Sequence, residues 1–212
     1  MPATVRYDAQ YCPIARALDV LGDRWTLLIL RDLVVGDQRF TDLRRNLKGI
    51  APTVLTQRLR TMTEQGLITT DDPGSHRARY RLTERGRSAT TVMNALARWG
   101  MPLLGEPDED TVVRPWTAVN VAVSIYYDPQ AAEGVDERYE FHVEGDIVTL
   151  SSVKGGGAPH ESADVVLESD ARLWLDIRRG QLTLREARRE GRVKVTGKAA
   201  AVANFQRIFH VP

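Results

Sequence analysis

From Gly105 to Pro115 the chain reads Gly-Glu-Pro-Asp-Glu-Asp-Thr-Val-Val-Arg-Pro, an acidic stretch with two prolines and no helical apolar period. Proline breaks helical hydrogen bonding and clustered carboxylates favour a solvated backbone, so one hydrophobic core cannot run through this segment. The 212 residues therefore read as a domain over 1–105, a linker over 106–115 and a domain over 116–212. Charge divides at the same place. Residues 1–105 carry 16 Lys and Arg against 10 Asp and Glu, whereas 106–212 carry 13 against 18, so the net +1 conceals a basic half and an acidic half. Only the basic half attracts a polyanion.

No apolar run approaches the roughly 18 residues needed to cross a bilayer, and the N-terminus lacks the basic-then-apolar order of a signal peptide. The expectation is a cytoplasmic protein with no membrane partner. A single cysteine, Cys12, excludes an internal disulfide framework and a Cys-cluster zinc site. His76, His142, His160 and His210 lack metal-ligand spacing, and no Ser-His-Asp or paired-carboxylate set falls on neighbouring elements. Neither an enzyme nor a cofactor is expected.

In the basic half, Ile14, Ala17, Leu18 and Leu21 recur at helical spacing up to Gly22, and Asp23 caps a second helix carrying Trp25, Leu28, Ile29 and Leu33. Phe40, Leu43 and Leu47 mark a third, broken at Lys48-Gly49. A fourth begins at Pro52, a favoured first helical position, and stops at Gln65-Gly66. Leu67–Thr70 and Arg77–Leu82 then form a hairpin around Asp71-Asp72-Pro73-Gly74-Ser75, and Thr83 caps a last helix from Glu84 to about Trp99.

Two short helices across a glycine-containing turn, followed by a hairpin, is the winged helix-turn-helix order. On the fourth helix Leu55, Leu59 and Met62 share one side, leaving Thr53, Gln57 and Arg60 opposite and Thr56 and Thr61 on the flanks. Arginine pairs bidentately with guanine and glutamine with adenine, each worth about 1–3 kcal/mol of discrimination, and threonine can meet a thymine methyl. Arg39, Arg44, Arg45, Lys48 and Arg58 on or near the preceding helix and turn, with His76, Arg77, Arg79 and Arg81 on the wing, are the expected phosphate contacts. On an isolated helix such polar residues read as a solvated face. Here the helix-turn, the arginine-laden hairpin and the basic half coincide with them.

Tyr11-Cys12-Pro13-Ile14, Leu21-Gly22-Asp23-Arg24-Trp25, Arg39-Phe40-Thr41-Asp42-Leu43, Gly49-Ile50-Ala51-Pro52, Leu55-Thr56-Gln57-Arg58-Leu59 and Tyr80-Arg81-Leu82-Thr83 resemble the HxlR family of winged-helix regulators over about residues 7 to 104. The resemblance implies a homodimer built by the N-terminal and last helices, with two recognition helices entering successive major grooves of double-stranded DNA. Leu96 and Trp99 suit that dimer surface, or fill the domain's own core. HxlR-like proteins usually carry a cysteine at the place of Cys12, and some sense oxidants or electrophiles through it. Arg16, one turn on, can lower a thiol pKa, while the competing reading of Cys12 is inert packing.

In the acidic half, Trp116, Val119, Val123, Tyr126 and Tyr127 favour a helix, although Val121 and Ile125 make the segment β-rich. Tyr139–Val143 and Ile147–Leu150 alternate around Glu144-Gly145-Asp146, a hairpin. Lys154–Pro159 is a glycine-rich loop without the Gly-Lys-Ser/Thr ending of a phosphate-binding loop. A strand over Ala163–Leu167, a helix over Ala171–Arg179, a helix over Leu184–Glu190, a strand over Arg192–Thr196 and a helix from Lys198 complete an α+β order with one small sheet.

Ala163-Asp164-Val165, Ser169-Asp170, Leu173-Trp174-Leu175, Arg179-Gly180, Leu184, Ala187, Gly191 to Gly197 and Ala203-Asn204-Phe205 are similar to the sterol carrier protein type-two family over about residues 116 to 212. That resemblance implies helices over one sheet and an apolar cavity for fatty acyl chains or other lipids, walled by Leu173, Trp174, Ile177, Phe205, Ile208 and Phe209. The same six side chains equally suit a filled core. The combined expectation is a DNA-binding regulator, a repressor, controlled by a small apolar ligand. The alternatives are a lipid carrier with a vestigial DNA-binding module and a purely structural dimerisation role for the second domain.

Overall fold

The computed structural model describes residues 11–34, 36–72, 75, 77–105, 114–152 and 162–212. Most of the expected linker, the Pro73-Gly74 turn, His76, His160 and the Lys154–Pro159 loop lie outside the described residues, as does the side chain of Trp116. The protein is α+β and divides into two compact units, Met1–Met93 and Asn94–Pro212.

The first unit runs α1 (Pro13–Leu21), α2 (Arg24–Val34), β1 (Gln38–Arg39), α3 (Phe40–Asn46), α4 (Pro52–Glu64), β2 (Ile68–Thr70), β3 (Arg79–Leu82) and α5 (Glu84–Ser88). The helix α6 (Thr90–Gly100) begins in it. The strands form an antiparallel sheet in the order β1-β3-β2. Ile29 and Leu30 of α2, Leu43 of α3, and Leu55, Leu59 and Met62 of α4 close the core. Gly22 makes the α1–α2 corner, where a Cβ would lie 2.4 Å from the Leu18 carbonyl oxygen, so only glycine fits.

Two features differ from the sequence expectation. Strand β1 is two residues long, too short to show alternation. The expected last helix is two helices joined at the buried Ala89. In α5, Gly86 packs so closely against the Leu67 carbonyl that a Cβ there would lie 2.0 Å from its oxygen. Glu84–Ser88 contains no large apolar residue, so the periodicity that suggested one helix belongs to α6 alone. Of the α1 stripe, Leu21 packs against the core, whereas Ile14 and Leu18 face outward, as a dimer built by this helix requires. Ile14 and Leu18 are 70% and 51% exposed, and the small Ala15 is the buried residue.

The second unit contains α7 (Pro115–Ala122), a 3-10 turn at Ser124–Tyr126, β4 (Arg138–Val143), β5 (Asp146–Ser151), β6 (Val165–Ser169), α8 (Ala171–Arg178), α9 (Leu184–Arg189), β7 (Val193–Gly197) and α10 (Ala199–Ile208). Its sheet order is β5-β4-β6-β7, with β4 and β6 parallel and the other pairs antiparallel. Glu144 and Gly145 take positive φ at the β4–β5 hairpin, the conformation a two-residue turn needs to match strand twist. Tyr139, Phe141, Val143, Val165 and Leu167 are buried, while Arg138, Glu140, His142 and Glu168 occupy the alternate positions. Asp170 caps α8 by accepting the Leu173 N–H at 2.7 Å. Thr183 and Glu186 form a reciprocal capping box on α9.

Candidate nucleic-acid interface

Helix α4 has Pro52 in its first turn and buries Leu55, Leu59 and Met62 to 2% exposure or less. The opposite side carries Thr53, Thr56, Gln57 and Arg60, all exposed. The Thr56 hydroxyl donates to the Pro52 carbonyl at 3.0 Å. Arg60 Nε donates to Glu64 Oε1 at 2.8 Å, an open pair worth well under 1 kcal/mol and easily exchanged for a base edge. Val54, 40% exposed beside Thr53, was passed over in the sequence because it lies between the two faces of the helix.

Arg44 and Arg45 in the last turn of α3 and Lys48 in the following turn are exposed, Arg45 pairing with Asp42 at 3.1 Å. From the wing come Arg39 on β1, Arg79 and Arg81 on β3, and Arg77 before it, all exposed. Arg81 is held at 2.8 Å by Asp37 and lies 4.0 Å from Asp71. The Arg79 backbone N–H, donating at 2.8 Å, keeps the Asp71 carboxyl below the usual carboxylate range.

Arg58, expected among the phosphate contacts, is half-buried and donates from Nη2 to Asp23 Oδ2 at 2.6 Å. The signal was Asp23 itself, recognisable as a cap; its second partner, 35 residues away, was not. Cys12 sits half-buried at the head of α1, and Arg16 donates to Asp19 at 3.3 Å.

In the second unit, Leu173, Trp174, Ile177, Phe205, Ile208 and Phe209 come together at 2% exposure or less. Their rings pack on one another and on β4, with centroids 5.1 Å apart for Phe141–Trp174, 5.3 Å for Tyr139–Phe205 and 5.5 Å for Phe205–Phe209. The polar edges are satisfied. Trp174 Nε1 donates to Ser169 Oγ at 2.9 Å, and the Tyr139 hydroxyl donates to Glu137 Oε2 at 2.6 Å. Burial, then that bond to a carboxylate, pushes the Tyr139 hydroxyl well above the ordinary phenol range. Among the described residues no group of three or more His, Cys, Asp or Glu is placed to hold a metal ion, and no helix is long and apolar enough to cross a membrane.

Residues 20–108 match the sequence model of the HxlR-like helix-turn-helix family. An uncharacterized HTH-type transcriptional regulator of Methanothermobacter thermautotrophicus is 33% identical over 95 residues, 44% of this chain and 72% of that protein. The chain belongs to the HxlR-like helix-turn-helix family. An uncharacterized HTH-type transcriptional regulator of Mycobacterium tuberculosis is 43% identical over 99 residues, 45% of this chain but 61% of its own length, so the match spans less than two thirds of that relative. Among solved structures, the redox regulator HypR in its reduced form is 27% identical, covers 43% of this chain and 92% of its own, and superposes with a TM-score of 0.40. The HxlR-like match takes in α2 to α6 and so includes the whole of α4 and the wing. Residues 125–210, from the 3-10 turn through α10, match instead the SCP-2 sterol transfer family.

Proposed function

We propose that this HxlR-like chain is a sequence-specific, DNA-binding transcriptional repressor that acts as a homodimer, with residues 1–105 as its DNA-binding and dimerisation part. The observation that carries the reading is α4, whose Thr53, Thr56, Gln57 and Arg60 stand outward while Arg44, Arg45 and Lys48 precede them and Arg39, Arg77 and Arg79 come from the wing. The cations supply sequence-independent affinity, and α4 supplies discrimination. Selection from a pool of random 30-base-pair duplexes tests it. The full-length protein is expected to enrich a pseudo-palindrome with half-sites one helical turn apart. Failure to enrich any motif leaves the lipid-carrier alternative.

Exposed apolar side chains support the dimer. Ile14 and Leu18 on α1, Leu96 and Trp99 on α6, and Leu103 beyond it are 47–73% exposed. Wild type is expected to sediment at twice 23.7 kDa, and Leu96→Glu with Trp99→Glu at the monomer mass with its circular dichroism retained.

The SCP-2 match supports a second role, binding of a small apolar ligand by residues 116–212. Such a ligand controls DNA binding only by distinguishing competent from incompetent dimers. A fatty acid that binds yet leaves duplex affinity unchanged overturns that control.

A further inference from the structure

Asp23 serves two helices at once. Its Oδ1 accepts the Trp25 backbone N–H at 2.8 Å, capping α2, and its Oδ2 accepts Arg58 Nη2 of α4 at 2.6 Å. The two side chains keep only 32% and 25% of their exposure, so the pair is partly shielded from water and salt. The carboxylate is anchored on its own side, because the cap fixes one oxygen and the glycine-only corner at Gly22 fixes the chain leading into it. Arg58 lies between the buried stripe of α4 and its outward face, directly following Gln57.

We propose that the Asp23–Arg58 ion pair sets the rotation of α4 about its own axis, making Arg58 a positioning residue for base reading and not a phosphate contact. The inference rests on the DNA-binding reading of α4. Leu55, Leu59 and Met62 hold the helix down, but apolar packing is non-directional and tolerates rotation. A charge-assisted hydrogen bond fixes direction. At the roughly 5–6 Å radius of side chains on a helix, a 20° rotation sweeps about 2 Å, enough to lose a hydrogen bond to a base edge.

The test uses the full-length protein, the duplex motif that wild type enriches, and poly(dI-dC) as nonspecific probe, each titrated from 50 to 200 mM salt. Asp23→Asn keeps an oxygen for the α2 cap, and Arg58→Met keeps the packing stem. Each variant is expected to lose about tenfold in preference for the motif, and the double variant no more than either alone. The slope of log affinity against log salt on poly(dI-dC) stays at the wild-type value.

A phosphate-gripping Arg58 gives the opposite pattern. Arg58→Met then flattens the salt slope by about one unit, and Asp23→Asn, by freeing the guanidinium, tightens binding to both probes. Either result overturns the proposal. Arg58→Lys, which retains stem and charge, is expected to recover most of the preference, and Asp23→Asn alone carries the loss if Arg58→Met melts below the assay temperature. A wild-type chain that enriches no motif sinks the DNA-binding reading and this inference together. An enriched motif bound with equal preference by every variant sinks this inference alone.

Discussion

Replacing Gln57 and Arg60 together by alanine is expected to reduce affinity for the selected duplex to the level seen with random sequence. Each side chain is worth about 1–3 kcal/mol of base discrimination, so the double variant loses roughly thirtyfold at the least. Arg60 first has to leave Glu64, but that pair is solvent-exposed and its loss costs a few tenths of a kcal/mol. Affinity for poly(dI-dC) should remain, with its salt dependence, because Arg44, Lys48, Arg77 and Arg79 are untouched. Fluorescence anisotropy on both duplexes measures the contrast. Retained sequence preference would remove α4 from the role of reader.

The second large effect is expected in the other unit. Phe205 is fully buried and its ring touches those of Tyr139, Phe141 and Phe209. Phe205→Ala should destabilise this unit by about 3–5 kcal/mol, since neighbouring rings held on a sheet and two helices cannot collapse fully into the space. Against a typical stability of about 5–15 kcal/mol for a whole domain, that lowers the melting transition by more than about 10 °C in calorimetry. An unchanged transition would mean that Phe205 lines a space and does not fill a core, which favours the lipid-pocket reading.

Helices α2 and α4 were legible because each carries its own punctuation. Gly22-Asp23 opens one, Pro52 and Gln65-Gly66 bound the other, and the leucine stripe of α4 declares which side is outward. What escaped had no local signature. Two-residue β1 shows no period, and no proline or glycine at Ala89 marks the break between α5 and α6. An apolar stripe such as Ile14 and Leu18 shows that α1 is amphipathic without saying whether its partner is the same chain. The partner of Arg58 was hidden for a related reason. A cation beside a polar face reads as outward unless its counter-charge is known, and Asp23 lies 35 residues away. In the second unit the strands and caps were legible, while a packed interior and a walled cavity carry the same residue types.

The sheet order β5-β4-β6-β7 bears on how the protein is made. Tyr139 and Phe141 leave the ribosome in a hairpin that can form at once, but their ring partners Phe205 and Phe209 arrive more than 60 residues later. At ordinary translation rates that interval is on the order of several seconds. The first unit, whose core spans Ile29 to Ala89, can already be closed by then. The nascent second unit meanwhile holds tyrosine, phenylalanine and tryptophan rings in water, and its yield in the cell depends on what shields them until α10 is synthesised.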